Sequence, residues 1–459
     1  MSKYDVLIVG GGISGLSALH FLRKRAPNLT VRLLEAESRL GGTIGTDRVD
    51  GYSFDWGPNG FLDRLPLTLQ LCEELGLISS LERANANVSN RFILRGGRLR
   101  PDPLSPLAFL KSDILSWPGK IRILGEPFAR KRPDGIDESI DDFANRRIGR
   151  QAADYLVQPM VSGVYGGVAS RLSLVSCFPI MREMEDEHGS LFRAMIARAR
   201  AAKRSGRKSG GPASPAGWLT SFQGGLYVII DRFRELYADH VSTNMPVASV
   251  RKENDFFITT TADGHDIQSS YVILAVPSYQ AAKIVTTVSA TLSDSLSQIK
   301  YAPIAVVCMG FPADSVRFNI DGFGFLVPSK EKRRILGSIW TSSIFADRAP
   351  LGKVQFRTMV GGDGDHASAA MSDSQLISAV TQDLRDIVGI DSEPEMVRLF
   401  RWSQGIPQYH IGHGNLIRTI ESELTAVRGL HLAGNAYFGI GLNECVKRAD
   451  EVVTRLIGA

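Results

Sequence analysis

Three glycines near the start of the chain have the spacing of a phosphate-binding turn. Gly10, Gly12 and Gly15 follow the apolar run YDVLIV at residues 4–9 and fit a G-x-G-x-x-G pattern. The first glycine allows a tight turn, the second lets a pyrophosphate approach the backbone, and the third lets a helix pack closely on the strand. Because the N-terminus of that helix carries free amide groups and a positive dipole, the pattern predicts an anion-binding site.

A carboxylate follows at the position expected of a ribose contact. Residues 16–25 predict a helix with an apolar stripe, and residues 31–34 predict a second strand. That strand ends at Glu35, twenty residues after Gly15, where a carboxylate accepts hydrogen bonds from a ribose hydroxyl. A glycine-rich turn without a ligand is the alternative. The order of strand, glycines, helix, strand and acid favours a dinucleotide.

Composition excludes several classes of protein. With 459 residues, 44% hydrophobic and 22% charged, the chain can hold several folded domains. A formal net charge of +5 is too small for a nucleic-acid-binding protein, and no apolar run is long enough to span a membrane. His410 and His413 stand beside glycines without a neighbouring acid or cysteine, so no metal site is predicted. The cysteines lack zinc-site or disulfide spacing, which fits a reducing compartment: Cys72, Cys177, Cys308 and Cys445.

A second glycine-rich turn indicates which dinucleotide is bound. The segment AESRLGGTIGT begins directly after Glu35 and contains Arg39, Gly41 and Gly42. A fold that binds only a nicotinamide cofactor does not need this turn. The segment resembles that of the flavin-binding amine oxidase superfamily, in which it touches the cofactor phosphates. The resemblance implies FAD.

Later segments extend this resemblance along the chain. FQGGLYVIIDRF at 222–233 is followed at 247–277 by hairpin strands, a turn at Asp263–Gly264 and a buried strand that ends in AVP. GLHLAGNAYFGIGLNECVKRADEVVTRL at 429–456 predicts a second helix N-terminus facing the flavin. The residues that the resemblance assigns to FAD binding are Gly10, Gly12, Ile13, Ser14, Gly15, Glu35, Arg39, Gly41, Gly42, Thr43, Gly57, Pro58, Asn59, Val247, Gly434, Asn435, Gly441 and Leu442.

Three internal stretches narrow the resemblance to the oxygen-dependent, FAD-containing protoporphyrinogen oxidases. Residues 89–116, 158–174 and 336–352 are similar to that family's segments in order and content. The family oxidises protoporphyrinogen IX to protoporphyrin IX, removing six hydrogens in three flavin cycles and passing electrons to O2 as H2O2. Coproporphyrinogen III, with four propionates instead of two, remains the alternative substrate. Amine oxidation, or a flavin-carrying binding protein without turnover, would keep the same dinucleotide motifs.

The resemblance also implies substrate contacts. Arg91 matches the arginine that pairs with a substrate propionate, and a guanidinium suits a carboxylate because it binds it in a planar, bidentate geometry. Gly163 matches the glycine whose carbonyl lies near the pyrrole N–H groups, and Leu326 and Phe345 match the apolar residues that sandwich the tetrapyrrole. A surface arginine, a plain turn and core residues are the respective alternatives. Because hydride transfer to a flavin depends chiefly on position, no acid or base is assigned.

The implied fold is α/β, with a Rossmann-type FAD-binding domain built from discontinuous segments. These segments are residues 1–80, 211–285 and 406–459. A mixed-sheet substrate domain is expected at 286–405, and a helical, membrane-binding insertion at 81–210.

The membrane expectation rests on two segments of this insertion. Residues 101–132 mix apolar side chains with prolines and end in basic residues, as suits the headgroup boundary of a bilayer. Residues 193–208 contain seven basic residues and no acid, which suits anionic lipid. A core-facing lid and a solvated loop are the alternatives. We expect a cytoplasmic protein attached peripherally to the membrane; a homodimer and transfer of the product to ferrochelatase are left open.

Overall fold

The chain alternates strands and helices, with a helix-rich stretch between residues 106 and 204. The computed structural model describes residues 2–88, 90–103, 105–132, 135–204 and 217–458. The strands are β1 Ser2–Val9, β2 Val31–Leu34, β3 Thr46–Val49, β4 Tyr52–Asp55, β5 Phe61–Leu62, β6 Leu81–Arg83, β7 Arg91–Arg95, β8 Arg98–Pro101, β9 Leu219–Phe222, β10 Val241–Ser242, β11 Val247–Glu253, β12 Phe256–Thr261, β13 Asp266–Leu274, β14 Lys300–Pro312, β15 Gly324–Leu326, β16 Ile335–Trp340, β17 Lys353–Gly361, β18 Met396–Gln408 and β19 Leu430–Leu432. The helices are α1 Ile13–Arg25, α2 Pro66–Glu74, α3 Pro106–Lys111, α4 Trp117–Leu124, α5 Ile140–Ile148, α6 Arg150–Ala152, α7 Gln158–Tyr165, α8 Leu174–Cys177, α9 Pro179–His188, α10 Leu191–Arg204, α11 Val228–Tyr237, α12 Ser278–Ile284, α13 Ala290–Ser297, α14 Thr341–Ile344, α15 His366–Ala369, α16 Asp373–Val388, α17 His413–Ala426 and α18 Leu442–Ile457.

The first sheet has a parallel layer in the order β10, β2, β1, β13, β19. Residues 6–9 of β1 are almost fully buried: Val6 and Ile8 pack under α1 and α18, and Leu7 and Val9 pack into clusters on the other face of the sheet. β13 continues past this layer and pairs with β12, which pairs with β11, in an antiparallel meander. Gly264 has a φ of +86° in the turn between β12 and β13, as the sequence predicts.

The parallel strands end at one edge of this sheet. β1 leads into Gly10, β2 into Glu35, β13 into Ala275 and β19 into Gly434 with one or no intervening residue. In open parallel sheets, ligands bind in the crevice beyond the carboxyl ends of the strands. The predicted cofactor residues are therefore brought together by topology, although they are distant in sequence.

The second sheet has the order β18, β14, β17, β16, β15, β7, β8 and is mostly antiparallel. Helix α16 covers one face and contributes Leu376, Val380 and Leu384 to its core. β7 pairs in parallel with β15, placing Ile93 beside Leu326. The sequence assigned residues 81–210 to the helical insertion, but the structure places β7 and β8 in this sheet. The local pattern could not show this pairing, because it joins segments more than 200 residues apart.

Helices α3 to α10 lie between β8 and β9 in the sequence and form a helical region. Its buried centre is an ion-pair cluster in which Arg147 contacts Glu126 and Glu185. Within the described ranges, no helix is both long enough and apolar enough to cross a membrane. Arg207 and Lys208 of the predicted basic segment lie outside the described residues. The mixed α/β fold class is confirmed.

Candidate active site

Two connected cavities lie between the sheets. One, of about 370 Å³, runs along the strand ends of the first sheet. The other, of about 320 Å³, opens toward the second sheet. They adjoin each other and share wall residues: Ile13, Thr43, Ile44, Trp402, Gly405, Asn435 and Cys445. We call the first the cleft and the second the chamber.

The glycine turn gives the cleft its floor. Gly10 has a φ of +108°, and a Cβ on Gly15 would overlap the carbonyl oxygen of Gly10. Strand and helix therefore approach too closely for any larger residue at either position. A Cβ on Gly12 would meet no atom within 4 Å, so it would project into the open cleft. This is the space that a pyrophosphate needs at the start of α1.

A second turn faces the first across the cleft. Gly41 bridges to Gly12, and its N–H donates to the carbonyl of Gly11 at 2.8 Å. The Arg39 guanidinium donates to the carbonyls of Leu40, Ile44 and Gly42 at 2.6–3.2 Å and stacks 4.3 Å from the Trp56 ring centroid. Arg39 therefore shapes this turn as well as bringing positive charge to the cleft.

Glu35 lines the cleft with both carboxylate oxygens already oriented. Oε2 accepts from the N–H of Gly11 at 2.6 Å, and Oε1 accepts from the N–H of Glu37 at 2.9 Å. Each oxygen keeps acceptor capacity for a ribose hydroxyl. The Met245 N–H donates to the Glu35 carbonyl at 2.8 Å, which places the start of β11 nearby. Val247 itself is partly buried on β11 and is not among the residues lining the cleft.

A second helix start lies between the cleft and the chamber. Helix α18 begins at Leu442, and Gly441 and Leu442 line the chamber. Asn435 lines both cavities, and its carbonyl accepts a hydrogen bond from the Tyr409 hydroxyl at 2.5 Å. Burial raises the pKa of Tyr409 well above its usual value, so that hydroxyl keeps its proton. The start of α18 is thus a second source of unpaired amide donors and positive dipole.

The chamber is mostly apolar. Its aliphatic lining comes from α7, β14, β16, β17, β18 and a loop, and it includes Val164, Ile304, Val306, Ile339, Met359, Ile406 and Ile440. Gly57, Pro58 and Asn59 also line the chamber, and Gly57 packs against the carbonyl of Thr43, which lines both cavities. Arg357 is the single charged residue among the described residues that line it. Such a lining suits a large, mainly apolar ligand whose orientation is set by a few polar groups.

Of the predicted substrate residues, some lie at the chamber and others lie away from it. Gly163 lines the chamber, and Leu326 packs against it, since a Cβ on Gly163 would lie 2.8 Å from Leu326 Cδ2. Phe345 is fully buried in a separate cluster with Val88 and Ile344 and does not line the chamber. Its rigid burial beside the β16–β17 connection leaves it no exposed face.

Arg91 also lies outside the chamber wall. Its guanidinium is 5.2 Å from the Phe323 ring centroid, and its carbonyl accepts from the Asp102 N–H at 2.7 Å. Burial lowers the pKa of Arg91, and the Asp102 carboxylate opposes that shift. Arg91 precedes Ile93, the partner of Leu326, by two residues on β7, so it lies one strand away from the residue that touches Gly163.

Sequence reasoning missed two prominent wall residues. Arg357 interrupts the otherwise uncharged run VQFRTMVGG of β17, and a charge in a buried strand is a signal in itself because burial of an unpaired charge is costly. Trp402 lies on β18 opposite Ile304 of β14 and lines both cavities. Its position could not be inferred without the strand pairing.

The histidines of QYHIGHGN have structural contacts. His413 stacks on Tyr409 at 4.1 Å, and its Nε2 lies 3.3 Å from the Tyr437 carbonyl oxygen. Burial lowers the pKa of His413 to about 4, so its ring is neutral. His410 Nε2 lies 3.5 Å from the Asp363 carboxylate. In the described part of the chain, no three His, Cys, Asp or Glu residues are grouped so that they could hold a metal ion.

Comparison with known proteins identifies the family of this site. The profile of the flavin containing amine oxidoreductases matches residues 13–457. The chain belongs to this family. Membership confirms the prediction of FAD and establishes an FAD-dependent oxidoreductase. The open space at Gly12 and the two helix starts are consistent with that cofactor, because both suit a pyrophosphate.

Individual members of the family match over nearly the whole chain. The chain is 32% identical over 478 residues to "Protoporphyrinogen oxidase, chloroplastic" of Nicotiana tabacum, covering 100% of this chain and 86% of the relative. It is 28% identical over 466 residues to "Coproporphyrinogen III oxidase" of Bacillus subtilis, covering 98% and 97%. A solved structure from Exiguobacterium sp. 255-15, named provisionally as a protoporphyrinogen oxidase, has a TM-score of 0.85 at 28% identity, covering 99% and 98%. The resemblance stated from the sequence is confirmed.

Proposed function

We propose that this flavoprotein oxidises protoporphyrinogen IX to protoporphyrin IX, with FAD taking the hydride and O2 as the final electron acceptor. The observation that carries this proposal is the apolar chamber that adjoins the dinucleotide cleft and shares wall residues with it. A reduced tetrapyrrole suits such a chamber, because it is a large apolar molecule whose carboxylates lie on its rim. The names of the relatives support the same substrate class.

The cofactor would lie along the cleft and enter the chamber with its ring. Glu35 would accept the ribose hydroxyls, and the starts of α1 and α18 would face the pyrophosphate, with Gly12 leaving room for it. Gly57, Pro58 and Asn59 would contact the ring, because they line the chamber and Gly57 packs against Thr43, which lines both cavities. FAD supplies the two-electron chemistry there.

The chain itself would position the substrate, and the proton would leave to solvent. The chamber wall contains no Asp, Glu, His or Lys among its described residues, so a side-chain general base is not part of the proposal. The Gly163 carbonyl, beside Leu326, would orient the pyrrole N–H groups. Bound FAD would supply the hydride acceptor and the reductant of O2, and the chamber wall would hold the substrate in place for each of the three two-electron oxidations.

Arg91 remains our proposed partner for a propionate. Phe345 would contact the substrate only if the cluster that it forms with Val88 and Ile344 rearranged. A propionate extends from the tetrapyrrole rim, and Arg91 lies one strand beyond Leu326. Arg98, on the next strand, is exposed and offers a matched control, because its loss removes a charge from the same hairpin.

Coproporphyrinogen III is the second candidate, favoured by the Bacillus subtilis relative, which covers 98% of this chain. Turnover of both porphyrinogens under air, followed by porphyrin fluorescence and H2O2 release, decides between them. We expect the higher kcat/KM for protoporphyrinogen IX. A higher value for coproporphyrinogen III transfers the assignment to that substrate, and no turnover of either refutes the proposal.

We also propose a peripheral membrane attachment through α4 and the residues after it. Trp117 and Ile121 are each 65% exposed and Phe128 is 86% exposed, and Trp117, Ile121 and Leu124 share one face of α4. Exposed aromatic and aliphatic side chains grouped in this way suit the bilayer interface. Arg193, Arg198 and Arg200 on neighbouring α10 would attract anionic lipid. Cytoplasmic location, a homodimer and transfer to ferrochelatase stay predictions.

A further inference from the structure

The chamber contains one charge that the proposed chemistry does not use. Arg357 lies on β17 between Phe356 and Thr358, and only 6% of the residue is exposed. Residues alternate across a strand, so Arg357 shares a face with Met359, which also lines the chamber. The guanidinium is therefore part of the wall of the cavity, although it is nearly removed from solvent.

The hydrogen bonds of Arg357 go to neutral acceptors. Its Nε donates to the Asp55 carbonyl at 3.4 Å, and its Nη2 donates to the Gly57 carbonyl. Among the residues that the structure describes, no carboxylate oxygen lies within the 4.0 Å of an ion pair with it. Its neighbour Cys308 stays neutral, since burial raises the pKa of that thiol to about 12.

A second buried arginine nearby has its charge balanced by carboxylates. Arg348 is also fully buried, but it lies close to the carboxylates of Asp55, Glu82 and Asp347. The Asp55 carboxylate lies 3.6 Å from Arg348 and attracts Arg357 only from beyond ion-pair distance, while the Asp55 backbone carbonyl accepts a hydrogen bond from Arg357. A buried charge with no carboxylate at ion-pair distance is poorly compensated, so Arg357 is a site where an incoming negative charge would be stabilised.

The carbonyl that Arg357 holds belongs to the segment proposed to contact the flavin ring. Gly57 is followed by Pro58 and Asn59, and all three line the same chamber as Arg357. We propose that Arg357 is an electrostatic partner of the flavin ring, stabilising the negative charge that the ring gains on reduction and so making the bound FAD a better electron acceptor. This inference rests on the proposed seating of the ring beside Gly57, and it does not depend on which substrate is oxidised.

The test compares Arg357→Met, which removes the charge at similar length, with Arg357→Lys, which keeps it. Two quantities are measured on the FAD-loaded proteins without any porphyrinogen: the two-electron reduction potential by equilibration with a reference dye, and the Kd of sulfite, whose adduct with the flavin is anionic. We expect Arg357→Met to weaken sulfite binding at least tenfold and to lower the potential by about 30 mV or more, the equivalent of tenfold for a two-electron couple. Arg357→Lys should recover most of both.

Other outcomes overturn the inference. If Arg357→Met keeps the potential and the sulfite Kd within twofold of the unaltered protein, the charge does not act on the flavin. A raised KM for porphyrinogen with unchanged potential would place the cation against a substrate carboxylate instead. Should Arg357→Met fail to fold or to hold FAD, Arg357→Gln, which can still donate to the Gly57 carbonyl, provides the uncharged protein. Failure of the proposed function would appear separately, as absent porphyrinogen turnover by the unaltered enzyme.

Discussion

Replacing Gly12 with valine should remove FAD binding without unfolding the protein. Gly12 precedes α1 with φ −74° and ψ 178°, an extended conformation that a β-branched residue adopts without strain. A Cβ at this position meets nothing within 4 Å, so valine causes no clash in the protein itself. Its side chain instead fills the space beside the amides of α1 that a pyrophosphate would occupy.

The size of the effect follows from the contacts that would be lost. Charge-assisted hydrogen bonds contribute about 1.5–3 kcal/mol each, so the loss of two weakens FAD binding by about a hundredfold or more. The assay is the ratio of flavin to protein absorbance after purification with excess FAD, together with the Tm of the flavin-free protein. We expect a colourless Gly12→Val protein whose Tm matches that of the unaltered apoprotein.

Gly15 provides the contrasting variant in the same turn. A Cβ there would overlap the Gly10 carbonyl, so Gly15→Ala should lower the Tm of the apoprotein itself. A yellow, fully loaded Gly12→Val protein would refute the assignment of the pyrophosphate to this turn. If Gly12→Val and Gly15→Ala lowered the Tm equally, the claim that Gly12 faces open space while Gly15 is closely packed would be refuted.

Three further predictions concern the substrate, the membrane and acid stability. Arg91→Ala should lower porphyrinogen kcat/KM by about 1.5–3 kcal/mol while FAD content stays unchanged; equal kinetics would remove its assigned role. The double variant Trp117→Ala, Phe128→Ala should lower co-flotation with anionic vesicles about tenfold or more, since burying one such side chain contributes about 1.5–3 kcal/mol. Leu351→Ala, at an exposed site elsewhere, is the control. Equal flotation of the unaltered protein, the double variant and the control would contradict the attachment. Because burial lowers the pKa of His413 from 6.5 to about 4, the unfolded chain takes up the proton first, and Tm should fall as pH drops between those values. His413→Phe keeps the ring stacking and should flatten this fall, which an unchanged pH profile would contradict.

The cofactor half of the site could be predicted from the sequence because its signals are local. The turn that contains Gly10, Gly12 and Gly15 lies within six residues, and the spacing to Glu35 is fixed by one helix and one strand. The antiparallel meander around Gly264 has the same property. Each of these elements is specified by contiguous residues, so neither a pairing partner nor a register had to be inferred.

The substrate half could not be predicted in the same way, since its walls come from strands that meet only in the folded chain. Arg357 reaches Gly57 across 300 residues of sequence, and Trp402 faces Ile304 through the pairing of β18 with β14. Phe345 was expected beside the substrate, but its side chain packs inward with Val88. Side-chain direction after a short helix such as α14 depends on packing that no local pattern reveals.

Mixing the FAD-loaded protein with protoporphyrinogen IX in the absence of oxygen tests the central claim most directly. The account predicts rapid bleaching of the flavin absorbance, followed by its return and the appearance of porphyrin fluorescence when air is admitted. A flavin spectrum that stays unchanged with both protoporphyrinogen IX and coproporphyrinogen III would contradict it.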